Sequence, residues 1–318
     1  MNIDNPKIWS LTDGSQGMIS QTKGLANELS INIKEVKTEI IFPWNRLQPG
    51  ILPIFSWIFK NKLPTNEIPD VVISCGRKSV YLSVYLKKKY PNIINIHIQN
   101  PKISSKNFTY VIAPNHDSLF GENVINSTGA IHHFKKFKKL KNHYKISTKN
   151  LITCIVGGEN NHYNFSIENT LDLCKRIKNL KNHKNDEILV LTSRRTSENI
   201  KHILKKELNS ISTLWFGEVN NPYEFALYNS SFFIITSDST SMISEASISG
   251  KPIYVYQLPM KRKSKRFIRF HEEFKKMNIT RDLNTLGKLE DWTYTKLEES
   301  KRIAGIIKKR IIKRNNES

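Results

Sequence analysis

Short apolar runs of strand length recur along the 318-residue chain, and segments with helical spacing separate them. Strands of a covered parallel sheet are buried on both faces, so they read as unbroken apolar runs rather than as an alternation. Such runs with helical crossovers predict an α/β protein with parallel sheets. The predicted strands are 7–11, 71–74, 93–98, 110–113, 151–156, 188–192, 213–216, 232–236 and 252–256. Two predicted helices end near residues 29 and 89, and two more cover 167–179 and 197–207.

This series stops at a basic connector, residues 135–150, and then restarts. Two such series predict two doubly wound, Rossmann-like domains that face a cleft, with ligands at the carboxyl ends of the strands. We expect an N-terminal domain at 1–145, a C-terminal domain at 146–290 and a C-terminal helix at 291–318. Packing of that helix back on the N-terminal domain is one arrangement open to it.

The chain is strongly basic, with 50 Lys and Arg against 28 Asp and Glu and a formal net charge of +22. A field of this sign attracts membrane surfaces, nucleic acids and phosphorylated metabolites alike. No helix-turn-helix, zinc-finger or RNP pattern accompanies the charge, so we expect no nucleic-acid partner. The three cysteines are far apart and fit a reducing cytosol. The histidines lack ligand spacing and no Asp-x-Asp follows a predicted strand, so we expect no metal.

The N-terminal residues are polar, and no apolar run approaches the ~20 residues of a membrane span, so we expect a cytoplasmic protein that is soluble or peripheral. Residues 40–63 combine aromatic and basic side chains with three prolines, which suits a membrane interface. The candidate membrane contacts are Trp44, Trp57, Phe59 and Lys60. The alternative is that the segment forms a core helix of the first domain.

Four predicted loops on the carboxyl side of strands carry glycine, hydroxyl or basic residues. Backbone N–H groups at the helix starts after such loops are unpaired, and the helix dipole adds positive potential, so a phosphate fits there. The alternative for each loop is an ordinary capped helix start. The candidate residues are Gly14, Gly17 and Gln21, then Gly76 and Arg77, then Gly157 and Gly158, and last Ser237, Asp238, Ser239 and Ser241.

Glu245 follows Ser241 by four residues and therefore projects from the same helix face about one turn further on. A carboxylate there can accept two hydrogen bonds from a ribose diol while the helix start holds a diphosphate. Arg194 and Arg195 follow a predicted strand, and a guanidinium matches phosphate oxygens bidentately. The alternatives are a first-turn acid that favours the helix dipole and a solvated arginine pair.

Seven short motifs follow one another between about residues 7 and 285. They are Ile8 to Gly14 with Gln21 and Gly24 to Ala26, Pro69 to Ile73 with Gly76 and Arg77, Gln99 to Pro101, Ala113 to Asp117, Gly157 with Gly158, Asn221 to Tyr223, and Thr236 to Ser239 with Met242, Glu245 and Gly250 to Pro252. Each motif is weak alone, but the ordered set resembles the mitochondrial-fission "elongated mitochondria" family.

The resemblance implies a fold similar to the GT-B glycosyltransferases, two Rossmann-like domains with the nucleotide donor on the C-terminal one. On that pattern Glu245 contacts the donor ribose and Gly157 and Gly158 allow close approach of the donor. The other donor-side candidates are Ser237, Asp238, Ser239, Ser241, Arg194, Arg195, and Phe216 with Gly217, whose turn edges the base.

On the acceptor side the resemblance adds Gln99 to the loops of the first domain. The base that deprotonates an acceptor hydroxyl is Asp13 or the pair His116 and Asp117. A turn aspartate and a loop-capping histidine are the alternatives for these positions.

The combined expectation is a metal-independent GT-B-type glycosyltransferase, peripheral on the inner face of the membrane. Its donor would be a nucleotide-diphosphate sugar, acting as substrate with no separate cofactor, and its acceptor an envelope lipid or glycan on an anionic membrane. The rival, from the fission name of the family, is a non-catalytic GT-B-like adaptor at a membrane surface.

Overall fold

The computed structural model describes residues 5–60, 67–134, 140–180, 186–283 and 289–316. It divides the chain into two compact units: unit 1 comprises residues 1–134 and 298–318, and unit 2 comprises residues 135–297. Each unit contains a six-stranded parallel sheet. The predicted α/β class is therefore confirmed.

The strands are β1 (Ile8–Thr12), β2 (Ile33–Lys37), β3 (Val71–Cys75), β4 (Ile94–Ile98), β5 (Tyr110–Pro114), β6 (Val124–Ser127), β7 (Leu151–Val156), β8 (Glu187–Thr192), β9 (Thr213–Trp215), β10 (Phe232–Thr236), β11 (Ile253–Tyr256) and β12 (Thr280–Asp282). The helices are α1 (Gln16–Leu29), α2 (Arg77–Lys89), α3 (Ile167–Leu180), α4 (Glu198–Leu208), α5 (Tyr223–Asn229), α6 (Thr240–Ala246), α7 (Lys265–Lys276) and α8 (Glu299–Asn316). Every predicted strand and helix forms, but the C-terminal helix, predicted from residue 291, begins at Glu299.

Three strands are missing from the sequence prediction: β2, β6 and β12. All three lie at the edges of their sheets, where a strand is only partly covered. The sequence of β2, Ile-Lys-Glu-Val-Lys, shows the result, because three of its five residues are charged and all three of these are exposed. An edge strand with exposed charged residues, such as β2, therefore escapes a search for continuous apolar runs.

The strand order is β2-β1-β3-β4-β5-β6 in unit 1 and β12-β11-β10-β7-β8-β9 in unit 2. In each sheet the direction in which the chain adds strands reverses once, between β1 and β3 and between β7 and β10. Loops at the carboxyl ends of strands diverge at such a reversal and leave a crevice in which ligands bind. The four loops after β1, β3, β7 and β10 border these two crevices, and they are the four loops that the sequence singles out.

Helices cover both faces of the unit 1 sheet. Ile8 and Ile73 pack with Leu25 of α1 and Ile307 of α8 on one face, and Trp9 belongs to the core that α2 covers on the other. Neighbouring residues of β1 thus enter opposite cores, as the pleat requires. The C-terminal helix α8 packs against α1 and β6, which is why residues 298–318 belong to unit 1.

The aromatic-basic segment forms no core helix, so that alternative is wrong for the part of the segment that the structure describes; residues 61–63 lie outside it. Three short 3-10 turns, Trp44–Arg46, Pro49–Ile51 and Ser56–Ile58, replace it. Proline cannot continue a regular helix, and the prolines at 43, 49 and 53 account for the breaks.

Side chains of this segment divide between the core and the surface. Ile40, Leu52, Ile58 and Phe59 are buried with α2. The exposed side chains are Phe42, Ile51, Phe55 and Trp57, each more than half exposed. The expectation that Phe59 contacts a membrane is corrected: it is 8% exposed and packs against Tyr85 of α2.

Unit 2 is built around β7, β8 and β10, whose strands are almost entirely buried. Its core joins these strands to α3 and α4 through residues such as Leu173, Ile177 and Leu204. Of the helices in the described parts of both units, not one has the length and apolar character needed to cross a bilayer.

Candidate functional site

The centre of the unit 2 crevice is the carboxylate of Asp238, two residues beyond the end of β10. Its side chain is fully buried and accepts three hydrogen bonds. The Thr236 hydroxyl donates over 2.6 Å, the Gly158 N–H over 3.1 Å, and an Arg195 guanidinium nitrogen lies 2.7 Å away. These contacts tie the loops after β7, β8 and β10 together at the switch point of the sheet.

Glycine at positions 157 and 158 is required by these contacts. A β-carbon at Gly157 would overlap the Asp238 carboxylate, and one at Gly158 would overlap the backbone carbonyl of Arg195. Atoms of the chain itself thus lie where the β-carbons would stand, which gives a packing reason for both glycines, and their role in the approach of a donor stays a prediction.

Arg195 also forms its contacts with other residues of the chain. Besides its ion pair with Asp238 it donates to the Gly158 carbonyl oxygen over 3.2 Å. Burial raises the pKa of Asp238, while the guanidinium and the hydrogen-bond donors act to lower it. Arg195 therefore neutralises Asp238 in this structure, although 40% of its side chain remains exposed, and Arg194 beside it lies at the surface.

Hydrogen bonds from neighbouring elements fix the loop after β10. The Ser237 hydroxyl accepts a hydrogen bond from the Leu258 N–H over 3.0 Å, so this residue is structural. His271 of α7 is buried and contacts the Ser237 carbonyl oxygen through Nε2 over 3.0 Å. Burial lowers the pKa of His271 to about 4, so the ring is neutral and donates from Nε2 at neutral pH. No spacing in the sequence links these two residues.

Ser239 and Ser241 occupy the start of α6, as predicted. Ser239 is the N-cap and accepts from the Met242 N–H over 3.4 Å, and both serines are partly exposed. The helix has seven residues, fewer than two full turns, so its dipole contributes little.

Glu245 lies in the second turn of α6 and is buried, with 9% exposure. Its carboxylate accepts a hydrogen bond from the Tyr223 hydroxyl of α5. Burial raises the pKa of Glu245 to about 7, and the tyrosine hydrogen bond lowers it in part. The same burial, together with the carboxylate, raises the pKa of Tyr223 well above 10. Glu245 therefore lies beyond the first turn and is not the first-turn acid of the alternative interpretation.

Phe216 and Gly217 lie away from this cluster. They follow β9, the edge strand, which is separated from β7 by β8. Phe216 packs against the unit 2 core, and Gly217 has a φ of +119°, a conformation that favours glycine. The structure does not bring this turn to the switch point.

An open cavity of about 460 Å³ adjoins the loops after β7 and β8. Arg195 and Lys261 contribute cations to its lining, and Lys261 pairs with Glu159. Phe165 and Ile200 supply an apolar wall. A polar opening with one apolar side suits a ligand that carries both hydroxyl groups and a carbon skeleton.

The unit 1 crevice begins at the loops after β1 and β3. Asp13 is partly exposed, and its carboxylate accepts from the Ser15 N–H over 3.0 Å. Gly14 and Gly76 have φ values of +90° and +87°, and a β-carbon at Gly76 would overlap Met18. Gly17 alone among these faces open space, with no atom within 4 Å of the position of a β-carbon.

Two of the acceptor-side candidates, both glutamines, contact each other. The Gln99 amide donates to the Gln21 side-chain oxygen over 3.3 Å, which joins the loop after β4 to α1. Arg77 has a structural role, because its guanidinium donates to the carbonyl oxygens of Asn45 and Leu47 over 3.0 and 3.3 Å. It thereby fastens the aromatic segment to the start of α2.

His116 and Asp117 lie in a short turn after β5, two strands away from β3. His116 is 2% exposed, and its Nε2 lies 3.9 Å from the Asp117 carboxylate. The structure therefore separates this pair from Asp13, which lies at the switch point.

Within the described residues, no group of three or more His, Cys, Asp or Glu side chains is arranged to hold a metal ion. The three cysteines are buried and reduced, and burial raises the pKa of each thiol.

Three solved structures are similar to this chain over most of its length. A Listeria monocytogenes protein assigned as a UDP-N-acetylglucosamine 2-epimerase is 12% identical, with a TM-score of 0.59 and coverage of 99% of this chain and 98% of that one. The S. aureus MnaA–UDP co-structure is 13% identical, with a TM-score of 0.53 and coverage of 95% and 87%. The glycotransferase of kitacinnamycin is 12% identical, with a TM-score of 0.55 and coverage of 89% and 87%. At such identities the likeness shows the fold, which is GT-B-like.

Sequence relatives extend over most of the chain. The protein RP120 of Rickettsia prowazekii is 27% identical in an alignment 347 positions long, which covers 95% of this chain and 97% of that protein. The mitochondrial fission protein ELM1 of Arabidopsis thaliana is 23% identical in an alignment 279 positions long, which covers 77% of this chain and 65% of the plant protein. A family model described as mitochondrial fission ELM1 matches residues 16–311, and the chain therefore belongs to that family.

Proposed function

We propose that unit 2 binds a nucleotide-diphosphate sugar and that the protein transfers the sugar to a membrane-associated acceptor. The observation that carries the proposal is the position of Glu245, a nearly buried carboxylate on the helix that starts at the switch point. Its carboxylate accepts a hydrogen bond from one tyrosine hydroxyl, and a ribose diol can supply two more hydrogen bonds. The partly exposed Ser239 and Ser241 precede it and are proposed to meet the diphosphate.

The comparison with solved structures supports a nucleotide of the uridine class. Among proteins of this fold is one whose structure contains UDP. A UDP-sugar is therefore the first donor to test, followed by GDP-, CMP- and dTDP-sugars.

Nucleotide binding is tested by thermal shift and by calorimetric titration. A ligand at about 100 times its dissociation constant stabilises the folded protein by about 2.7 kcal/mol. Glu245→Gln should weaken binding about tenfold to a hundredfold, since hydrogen bonds to a charged group contribute about 1.5 to 3 kcal/mol. Glu272→Gln, at an exposed position of α7, is the matched control and should bind as the wild type does. Absence of binding by every nucleotide would remove the proposal.

The proposed transfer needs a base that takes the proton of the acceptor hydroxyl. The acceptor oxygen forms a bond to the anomeric carbon, the bond from that carbon to the diphosphate breaks, and the nucleoside diphosphate leaves. We assign the base to Asp13, because its carboxylate is partly exposed at the unit 1 switch point whereas His116 is buried in a turn elsewhere.

Turnover is followed by phosphorus and proton NMR of the UDP-sugar incubated with a lipid extract. Release of UDP with a glycosylated product supports transfer, and Asp13→Asn should abolish it while nucleotide affinity is retained. Inversion at a sugar carbon without release of UDP would instead indicate an epimerase. Binding without any reaction would favour the adaptor.

A membrane-associated acceptor is proposed from the exposed apolar side chains of residues 40–60, here called the aromatic surface: Phe42, Ile51, Phe55 and Trp57. Phe55 and Trp57 stack at 6.2 Å, and the Arg46 guanidinium lies 5.1 Å from the centre of the Phe42 ring. Aromatic rings with adjoining cations suit the headgroup level of an anionic membrane. The same surface favours the second candidate function, a non-catalytic adaptor at a membrane.

A further inference from the structure

We propose that unit 1 binds a phosphate ester in a basic cavity at the amino-terminal edge of its sheet. The cavity has a volume of about 420 Å³, and four of its eight lining residues are cations. These are Lys87, Lys88, Lys106 and Arg314. None of the eight described lining residues carries a carboxylate.

Three parts of the fold bring these charges together from distant positions in the sequence. Lys87 and Lys88 lie in the last turn of α2, Lys106 lies in the turn that precedes β5, and Arg314 lies in the last turns of α8. The end of α2 leads into β4, so the basic cavity lies at the amino ends of the strands. It is therefore separate from the loops after β1 and β3, which lie at the carboxyl ends.

Lys87 holds a defined position in the basic cavity. Its ammonium group donates to the carbonyl oxygens of Pro91 and Ile93, each over 2.7 Å. An ammonium group has three N–H donors, so one remains for a ligand oxygen. Burial and the nearby charge of Arg314 both lower the pKa of Lys87, which is the effect expected of a cation that an anion does not yet offset.

The wall of the basic cavity is also held by internal contacts. The Asn95 side-chain amide donates to the Asn107 carbonyl oxygen over 3.0 Å, and its oxygen accepts a hydrogen bond from the Thr109 hydroxyl over 3.1 Å. Asn107 and Thr109 line the cavity, so these hydrogen bonds fix part of its wall. A pre-shaped wall with an anchored ammonium distinguishes this site from a solvated row of charges.

A phosphate ester is the ligand class that matches this chemistry. Several cations converge on one cavity, and a phosphate group carries up to two negative charges and three free oxygens that accept hydrogen bonds. The volume also admits the carbon skeleton of a small ester such as glycerol phosphate. Both a soluble phosphorylated metabolite and the headgroup of an acidic phospholipid present this group.

The test uses the full chain and a pair of charge-matched variants. Lys88→Gln/Lys106→Gln removes two exposed cations of the basic cavity, and Lys205→Gln/Lys206→Gln removes two exposed cations of α4 in unit 2. Because all four residues are exposed, we expect all three proteins to fold alike, which circular dichroism checks. Calorimetry measures binding of glycerol 3-phosphate, and sedimentation measures binding to phosphatidylcholine vesicles with and without phosphatidic acid.

The wild type should bind at least one of the two probes, and the cavity variant should bind it about 25-fold more weakly, about fivefold for each lysine removed. The control variant should stay within about twofold of the wild type. Binding of glycerol 3-phosphate assigns the site to a soluble ester, and binding of phosphatidic acid vesicles alone assigns it to a lipid headgroup. Equal losses in both variants, or no binding of either probe, would overturn the proposal. UDP binding reports on unit 2 separately.

Discussion

Replacing Glu245 with glutamine removes the titration of a buried carboxylate while nearly preserving its volume. In the folded protein burial raises the pKa of Glu245 to about 7, against an ordinary value of 4.5. The protonated form is therefore favoured by folding. Stability from this group is fully present below about pH 4.5 and is lost as the pH rises to about 7, where the folded protein must carry a buried charge.

The size of the effect follows from that difference. From 4.5 to about 7, at about 1.36 kcal/mol for each unit of pKa, the free energy of unfolding of the wild type should fall by about 3 kcal/mol. Glutamine does not titrate, so the variant lacks this loss. Other groups titrate equally in both proteins, so their contributions cancel in the comparison. The lost interaction with Tyr223 changes the free energy of unfolding of the variant separately, already at low pH. The quantity that matters is how the difference between the two proteins changes with pH.

Urea unfolding of wild type, Glu245→Gln and the control Glu272→Gln, followed by circular dichroism from about pH 4.5 to 8, measures this difference. The variant should gain about 3 kcal/mol relative to the wild type across the range, and the control should gain nothing. Parallel curves for Glu245→Gln and wild type would refute the reasoning. If ribose hydroxyl groups bind the ionised carboxylate, saturating UDP should also shift the wild-type loss to lower pH, because the ligand then favours the charged form.

Three further predictions concern packing and attachment. Gly157→Ala should destabilise unit 2 by about 1 to 3 kcal/mol, because the added methyl group overlaps a buried carboxylate. Gly17→Ala, at an open helical position, should be neutral or stabilising by up to about 1 kcal/mol. Equal urea midpoints for the two variants would contradict the overlap. Arg195→Met should lower the free energy of unfolding by about 2 kcal/mol at neutral pH, because it removes the ion pair of the buried Asp238 carboxylate. This value is reduced for the partial exposure of Arg195. An unchanged urea midpoint would show that the ion pair contributes nothing. Trp57→Ser should release the protein from anionic vesicles at an unchanged melting temperature. Phe59→Ser should instead lower stability by about 3 kcal/mol. If the Trp57→Ser variant stays on the vesicles, the aromatic surface is not the contact.

Much of the candidate site can be found in the sequence because parallel α/β sheets place ligand loops directly after strands. The glycine, hydroxyl and acidic residues of those loops stand next to recognisable apolar runs, and the topology brings all four loops to the two switch points. The sequence did not predict that Phe216 and His116 lie away from those points, because their position depends on the order of strands within each sheet.

The amino-acid sequence by itself determined the fold class, the nine strands with continuous apolar runs and the helices between them, because burial on both faces leaves a local pattern. The tertiary structure alone decided which side chains pair. Tyr223 and Glu245 are 22 residues apart and Gly158 and Asp238 are 80 apart, so their contacts depend on the packing of separate elements. Burial of Phe59 beside the exposed Trp57 has the same origin: both are aromatic in one short segment, and only the surface of α2 determines which of them is covered.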